Sequence, residues 1–324
     1  MTGATACFKM IRIRALFAGG MDISPWQIGI FCHNEQERIR ACIESVDRAA
    51  RSADAVIHVF LNGSTDGSLA ALRNAASRSP VVIHEIRAAC KSSAINLFLH
   101  TICGPDLQAD AVICVDGNVI VDEDALIHLH AALAREPSAM AASGTARTGR
   151  SYAASARANA AEGGHICGSL FALRPDFVRR MVQQDIRLPE GLYRGDGLLG
   201  RFARSDLDWQ GTELPSRIVG VLEATFQSYS LSARRPSHLV RQLKRKTRQI
   251  RGLIENAAIR EHATRLPFRR LPANAYDMMH AYLQEHPKPR VGLADMPFML
   301  AALWQVFMRR SRTRLRGRTF GARK

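Results

Sequence analysis

Three short polar clusters carry side chains able to do chemistry, and each directly follows an apolar run. His33-Asn34-Glu35 follows the first run, Asn62-Gly63-Ser64-Thr65-Asp66-Gly67 the second, and Asp116-Gly117-Asn118 a later one. Asp116 has the sharpest chemical reading. A carboxylate at the end of a buried strand needs a metal, a hydroxyl or another hydrogen-bond donor. With Asn118 two residues on, both oxygen-bearing side chains could face one hard cation, Mg2+ or Mn2+. Such a cation would neutralise a diphosphate leaving group. The competing reading is a capped turn before a helix. Glycines in the second and third clusters let the backbone approach a ligand closely, although NGSTDG is also a common turn composition.

The elements that must position these clusters alternate. Gln27–Cys32, Ala55–Leu61, Val81–Ile86 and Ala111–Val115 are predicted strands. Glu35–Arg51, Leu69–Ala76, Ser92–Ile102 and Asp124–Arg135 are predicted helices, the first with Ile39, Cys42, Ile43 and Val46 on one face. Asn34 followed by Glu37 fits a helix N-cap and its capping-box partner. Ser169–Leu173 is strand-like and Pro175–Gln184 helical. The Ala/Gly/Ser-rich stretch 144–164 fits a mobile loop or an Ala-rich helix. Strands alternating with helices imply an α/β fold with a mostly parallel sheet covered on both faces. In such a sheet all three polar clusters fall at one edge, beyond the strand carboxyl ends where ligands bind.

In order and spacing these segments resemble the family 2 glycosyltransferases, bacterial-type and non-processive, from about Ile28 to Arg248. IGIFCHNEQERIRACIESV is similar to the family's opening strand, Asn-Glu turn and first helix. VFLNGSTDGS is similar to the strand with its "DDGSTDGT" turn, and Lys91–Asn96 to Lys-x-x-Ala-x-Asn. VDGNVIVDEDAL resembles the "DxD" strand end, and ICGSLFALRPDFV the acceptor-side strand and helix, which brings in Gly168 and Ser169. Arg194-Gly195-Asp196-Gly197-Leu198-Leu199 stands where the family has its catalytic acid. Gln242-Leu243-Lys244-Arg245 matches the start of "QxxRW".

The resemblance implies a GT-A, Rossmann-like fold and a sugar nucleotide as donor. Asn34, Glu35, Asn62 and Asp66 would line the nucleotide pocket. Lys91 and Asn96 would lie beside the ribose and diphosphate. Asp116 would hold the ribose or the metal, and Asn118 would be a metal ligand. Gln242 and Arg245 would grip the donor diphosphate or the acceptor, unless they belong to a solvated basic helix face. Asp196 would be the general base of a single inverting displacement onto a glycan or lipid-linked acceptor; its plainer reading is a loop residue in a Gly-rich turn. Leu61 and Asn62 replace the paired acids of "DDGSTDGT", and Asn118 replaces the second acid of "DxD". Lys246 stands in place of Trp, which argues against a processive polymer synthase.

Charge divides the chain. The formal net charge is +16, yet residues 231–324 hold 22 Lys and Arg against 5 Asp and Glu, and the other 230 residues hold 23 against 24. The organisation expected is an N-terminal extension (1–25), a GT-A domain (26–230) and a basic helical C-terminal region (231–324). Residues 296–308 are apolar but too short to span a bilayer, and six arginines follow between Arg309 and Arg318. That pattern fits an interfacial anchor on anionic lipid; the alternative is a helix packed on the catalytic domain. The start of the chain lacks a clean signal-peptide core. The seven cysteines are scattered, without a C-x-x-C pair, as expected of free thiols in a reducing compartment. The expected location is therefore cytoplasmic, peripheral on the inner face of the membrane if the tail docks there. A nucleic-acid-binding protein is the first rival, but aromatics are 6% and no recognised nucleic-acid motif is present. A nucleotidyltransferase would need a Gly-rich basic loop where HNEQER stands. A degenerate protein that binds a sugar nucleotide without turnover is the third.

Overall fold

In a computed structural model describing residues 9–12, 25–148, 152–160, 164–228, 236–287 and 292–319, the chain forms one mixed sheet flanked by helices. Strands β1 (Lys9–Arg12), β2 (Trp26–Cys32), β3 (Ala55–Asn62), β4 (Val81–Ile86) and β5 (Val112–Asp116) are followed by β6 (Val119–Val121), β7 (Ala141–Thr148), β8 (Leu170–Leu173) and β9 (Ile218–Ser228). The order is β1-β4-β3-β2-β5-β8-β7-β9-β6. Strands β4, β3, β2 and β5 are mutually parallel, and antiparallel pairings flank them at β1–β4 and β5–β8.

Period-2 alternation feeds two cores. Ile28, Ile30, Ile57, Val59, Ile113 and Val115 point to one face, under α1 (Ile39–Ala49) and α4 (Ala125–Arg135). Phe31, Phe60, Val112 and Cys114 point to the other. Both sides of the parallel strands are buried, so these segments read as continuous apolar runs rather than alternating ones. Helix α2 (Ser68–Arg73) follows β3, and α3 (Lys91–Leu97) continues as a π-helical turn over Phe98–Cys103.

The structure departs from the sequence expectations in three places. The first helix begins at Ile39, not Glu35, because Asn34 takes a left-handed backbone (φ 55°) and its side chain is drawn to the neighbouring loop instead of capping the helix. The stretch 144–164 divides into the end of β7 and helix α5 (Tyr152–Ala160). Strand β7 (AASGTART) has poor β-propensity, but Ala141–Ala146 are all buried between β8 and β9, where small residues suit close packing. Helix α6 (Pro175–Gln183) is where expected. Asp196 lies not in a turn but in the first turn of helix α7 (Gly195–Arg204). Three glycines hide that helix from propensity reasoning; burial of Leu198, Leu199, Phe202 and Ala203 holds it.

Helices α8 (Pro236–Arg265), α9 (Ala275–Glu285) and α10 (Met296–Thr319) complete the chain. Ile250, Ile254, Met278, Met279, Met299, Ala302 and Val306 join the same apolar cluster as Phe31, Phe60 and Phe171. The basic C-terminal helices thus share a core with one face of the sheet. Among the described residues, no helix is long and apolar enough to cross a membrane.

Candidate active site

The three polar clusters meet at the carboxyl edge of β4, β3, β2 and β5, because these four strands run in one direction. The first two clusters are knitted together. His33 Nδ1 donates to the Asn62 carbonyl at 2.6 Å. Asn34 Oδ1 accepts the Thr65 N–H at 2.8 Å, and the Asn34 N–H donates to the Ser64 hydroxyl at 3.1 Å. Asp66 accepts the N–H groups of Gln36 and Ser68, each at 3.1 Å, and the Ser68 hydroxyl. Burial opposes the Asp66 charge, but those donors outweigh it and hold the carboxyl below its ordinary value. The Glu35 carboxylate is paired with Arg38 at 2.8 Å. Gly63 sits at φ 60°, and a Cβ there would lie 2.9 Å from the Ala89 nitrogen, so the turn requires glycine. Asn62 is buried, and its Oδ1 has no hydrogen-bond partner among the described residues. An unmatched buried acceptor costs about 1–3 kcal/mol, which a ligand N–H would offset.

The second group is built around Asp116. Lys91 Nζ donates to Asp116 Oδ1 at 2.6 Å and to the Gly168 carbonyl at 2.7 Å. The Ser169 hydroxyl donates to Asp116 Oδ2 at 3.1 Å, and the Asp116 N–H to the Ser169 carbonyl at 3.0 Å. Burial works against the Lys91 charge, yet the attraction of Asp116, reinforced by Asp196, raises its pKa above the ordinary value. Asp196 lies directly against Gly168: a Cβ built on that glycine would sit 2.7 Å from Asp196 Oδ2. Its other oxygen accepts the Gly197 N–H at 2.9 Å, in the first turn of a helix, where a carboxylate is favourably placed. Two carboxylates, one ammonium and a bare glycine therefore share one small volume.

The segment leading into Asp196 is pinned from several sides. Asn96 spends its carboxamide on Leu188, donating to the carbonyl at 2.8 Å and accepting the N–H at 3.0 Å. Glu190 bridges the chain on either side of Asn274. The N–H groups of Tyr193 and Arg194 donate to Glu255 at 2.9 and 3.3 Å. Glu255 is fully buried in α8 and paired at 3.1 Å with Arg251, which also donates to the Tyr276 hydroxyl at 2.8 Å. Burial pushes the Glu255 carboxyl up, against the pull of Arg251 and the two backbone donors.

The structure thus gathers Lys91, Asp116, Gly168, Ser169 and Asp196 in contact, with Asn34, Glu35, Asn62 and Asp66 in the adjoining loop pair. Asn96 supports the Asp196 segment. Arg245 is exposed on α8, and the contacts from that helix to the segment come from Arg248, stacked 5.6 Å over Tyr193, and from Arg251 and Glu255. The side chain of Gln242 lies outside the described residues. Arg251 and Glu255 were not singled out from the sequence, although Glu255 is the sole acid in the basic run 236–260, an available signal.

The residues present fit a hard cation delivered with a diphosphate. Asp116 has carboxylate oxygens, shared with Lys91 and Ser169, whose remaining lone pairs could meet a cation, and the Asn118 carboxamide has no protein partner among the described residues. One carboxylate plus substrate phosphates is a usual Mg2+ or Mn2+ donor set. Burial pushes the Cys32 thiol up to about 11 and the Cys103 thiol to about 12, which keeps these two protonated and unreactive.

The family model described as Glycosyl transferase family 2 matches residues 27–188, half of the chain. No curated protein matches. Among solved structures, the chain is similar to the mannosyltransferase PcManGT from Pyrobaculum calidifontis in complex with GDP-Man and Mn2+. Identity is 17%, 94% of this chain and 85% of that chain are covered, and the TM-score is 0.51. It is also similar to S. aureus TarS 1-349 in complex with UDP, at 14% identity, 87% and 80% coverage and a TM-score of 0.50. At these identities the likeness is one of fold.

Proposed function

The chain belongs to glycosyl transferase family 2, and from that premise we propose that it moves a sugar from a nucleotide-diphosphate donor to an acceptor hydroxyl with inversion. The observation that carries this reading is the contact of Asp116, Lys91, Gly168 and Asp196 at the strand carboxyl ends. Asn34, Glu35, Asn62 and Asp66 line the nucleotide side, and the unmatched Asn62 oxygen suits a base N–H. Lys91 neutralises the diphosphate side, with Arg245 and Gln242 as further donor contacts, and Asn96 acts by fixing the Asp196 segment. Asp116 and Asn118 would hold Mg2+ or Mn2+, which when bound would neutralise the departing diphosphate. Gly168 and Ser169 form the acceptor side. There Asp196 takes the proton of the acceptor hydroxyl as its oxygen attacks the anomeric carbon opposite the diphosphate.

The acceptor is a glycan or a lipid-linked hydroxyl, in the synthesis of surface polysaccharide or glycolipid. The chain works in the cytoplasm, at the inner face of a membrane reached through residues 296–324. Its organisation is an N-terminal extension (1–25), the GT-A domain (26–230) and a basic helical region (231–324) that braces the catalytic segment. A sugar-nucleotide-binding protein without turnover is the second reading, favoured by Leu61 and by Asn118 in place of acids.

The test is thermal stabilisation by UDP-, GDP-, CMP- and dTDP-sugars with and without Mn2+ or Mg2+. One donor should raise Tm, with a metal dependence that Asp116→Ala abolishes. No shift from any donor at millimolar concentration would sink the reading. Stabilisation without transfer to any glycan or lipid-linked acceptor would favour the second.

A further inference from the structure

Helix α10 carries two apolar faces. Met299, Ala302 and Val306 are buried against the body of the protein. Met296, Leu300, Trp304 and Met308, spaced by four residues, form a second stripe that faces solvent, with Leu300 62% and Trp304 65% exposed. Phe307 borders it, touching His280 on α9 with one edge while half exposed. The helix is held in place by Lys246–Asp295 at 2.8 Å and by its own buried face, so the stripe is presented by a seated element. A contiguous apolar stripe with an exposed Trp is unusual on a water-facing surface and marks an interaction site. The sequence past the stripe supplies the second observation. Residues 296–324 contain eight Lys and Arg and no Asp or Glu, with six of the arginines between 309 and 318 in the same helix.

We propose that this face of α10 docks in the plane of an anionic lipid surface, the stripe entering the headgroup boundary and the arginines meeting lipid phosphates. Apolar side chains beside a dense cationic run have the chemistry of an interfacial helix. Anionic headgroups complement the charge, each Lys or Arg near the surface adding attraction that salt screens. The buried face prevents α10 from inserting across the bilayer without unpacking from α8 and α9. Nucleic acid would satisfy the arginines but leave the stripe in water.

Vesicle flotation of the full-length protein tests this without reference to sugar transfer. The protein should float with phosphatidylcholine vesicles containing phosphatidylglycerol and not with phosphatidylcholine alone, and salt should weaken the binding. Leu300→Ser with Trp304→Ser, at exposed positions that leave Tm unchanged, should reduce partitioning roughly tenfold or more. Equal binding to neutral and anionic vesicles, or unchanged binding of the double variant, would overturn the proposal. So would tight single-stranded RNA binding without vesicle binding. A dimer in sedimentation that the double variant dissociates, again without vesicle binding, would reassign the stripe to a second copy of the chain. None of these outcomes depends on whether the protein transfers sugar.

Discussion

At the scale of single residues, the proposed mechanism separates the base from its support. In it Asp196 takes the proton, whereas Gly168 contributes only the space it leaves. Asp196→Asn should lower kcat by roughly 10²–10⁴-fold while donor-induced stabilisation stays at the wild-type level. Gly168→Ala puts a methyl 2.7 Å from Asp196 Oδ2 and 3.2 Å from its Cβ, so the carboxylate must rotate away and the start of α7 must give by a few tenths of an ångström. The variant should therefore fold with a modestly lowered Tm but lose turnover as the carboxylate is displaced. Parallel measurement of Tm and kcat decides this, and a Gly168→Ala enzyme of full activity would show that Asp196 need not sit against that glycine. Asp116, Asn118 and Asn62 were legible as candidates because polar residues after apolar runs are visible in sequence, and Asp196 only through the family resemblance. That Asn34 and Asp66 spend their side chains joining two loops was not, since their partners lie about 30 residues away.

At the scale of elements, α8 reaches from the basic region to the segment leading into Asp196 through a buried ion pair. Glu255 accepts the Tyr193 and Arg194 N–H groups while neutralising Arg251. Removing the carboxylate strands a buried guanidinium, a change that costs about 3–5 kcal/mol. Glu255→Ala should therefore lower Tm steeply. Glu255→Gln keeps the volume and one acceptor, so its Tm should fall less, yet the slackened segment should lower kcat with little change in donor KM. Denaturation and steady-state kinetics on both variants test this; a Glu255→Gln enzyme with wild-type kcat would limit the pair to stability. Apart from the three-residue strand β6, the helices and strands of residues 26–135 were readable from hydrophobic periodicity within a few residues. Helix α7 and strands β7 and β9 were not: glycines mask the first, small residues the second, and most positions of the third are only partly buried or exposed.

At the scale of the whole molecule, burial leaves a titration signature. His58 and His84 stack inside the sheet 3.1 Å apart, Nδ1 to Nε2, and burial lowers them from an ordinary 6.5 to about 3 and about 4. The folded state keeps both neutral where the unfolded chain protonates. Their contribution to stability is whole above pH 6.5 and is lost as pH falls from there toward the folded values. Each neutral histidine should cost about 1.4 kcal/mol per pH unit below that point. Chemical denaturation between neutral pH and about pH 5 should show declining stability, and a flat profile would contradict the burial. The sequence by itself determined the alternation of strand and helix, the edge on which the polar clusters gather and the division of charge between body and tail. These follow from period, turn chemistry and composition, which are local. Only the tertiary structure decided that Asp196 lies against Gly168, that Asn96 and Glu255 fasten its segment, and that α10 buries one apolar face while exposing another. Each of those depends on which distant surfaces pack together, and packing is a property of the whole chain that no local pattern encodes.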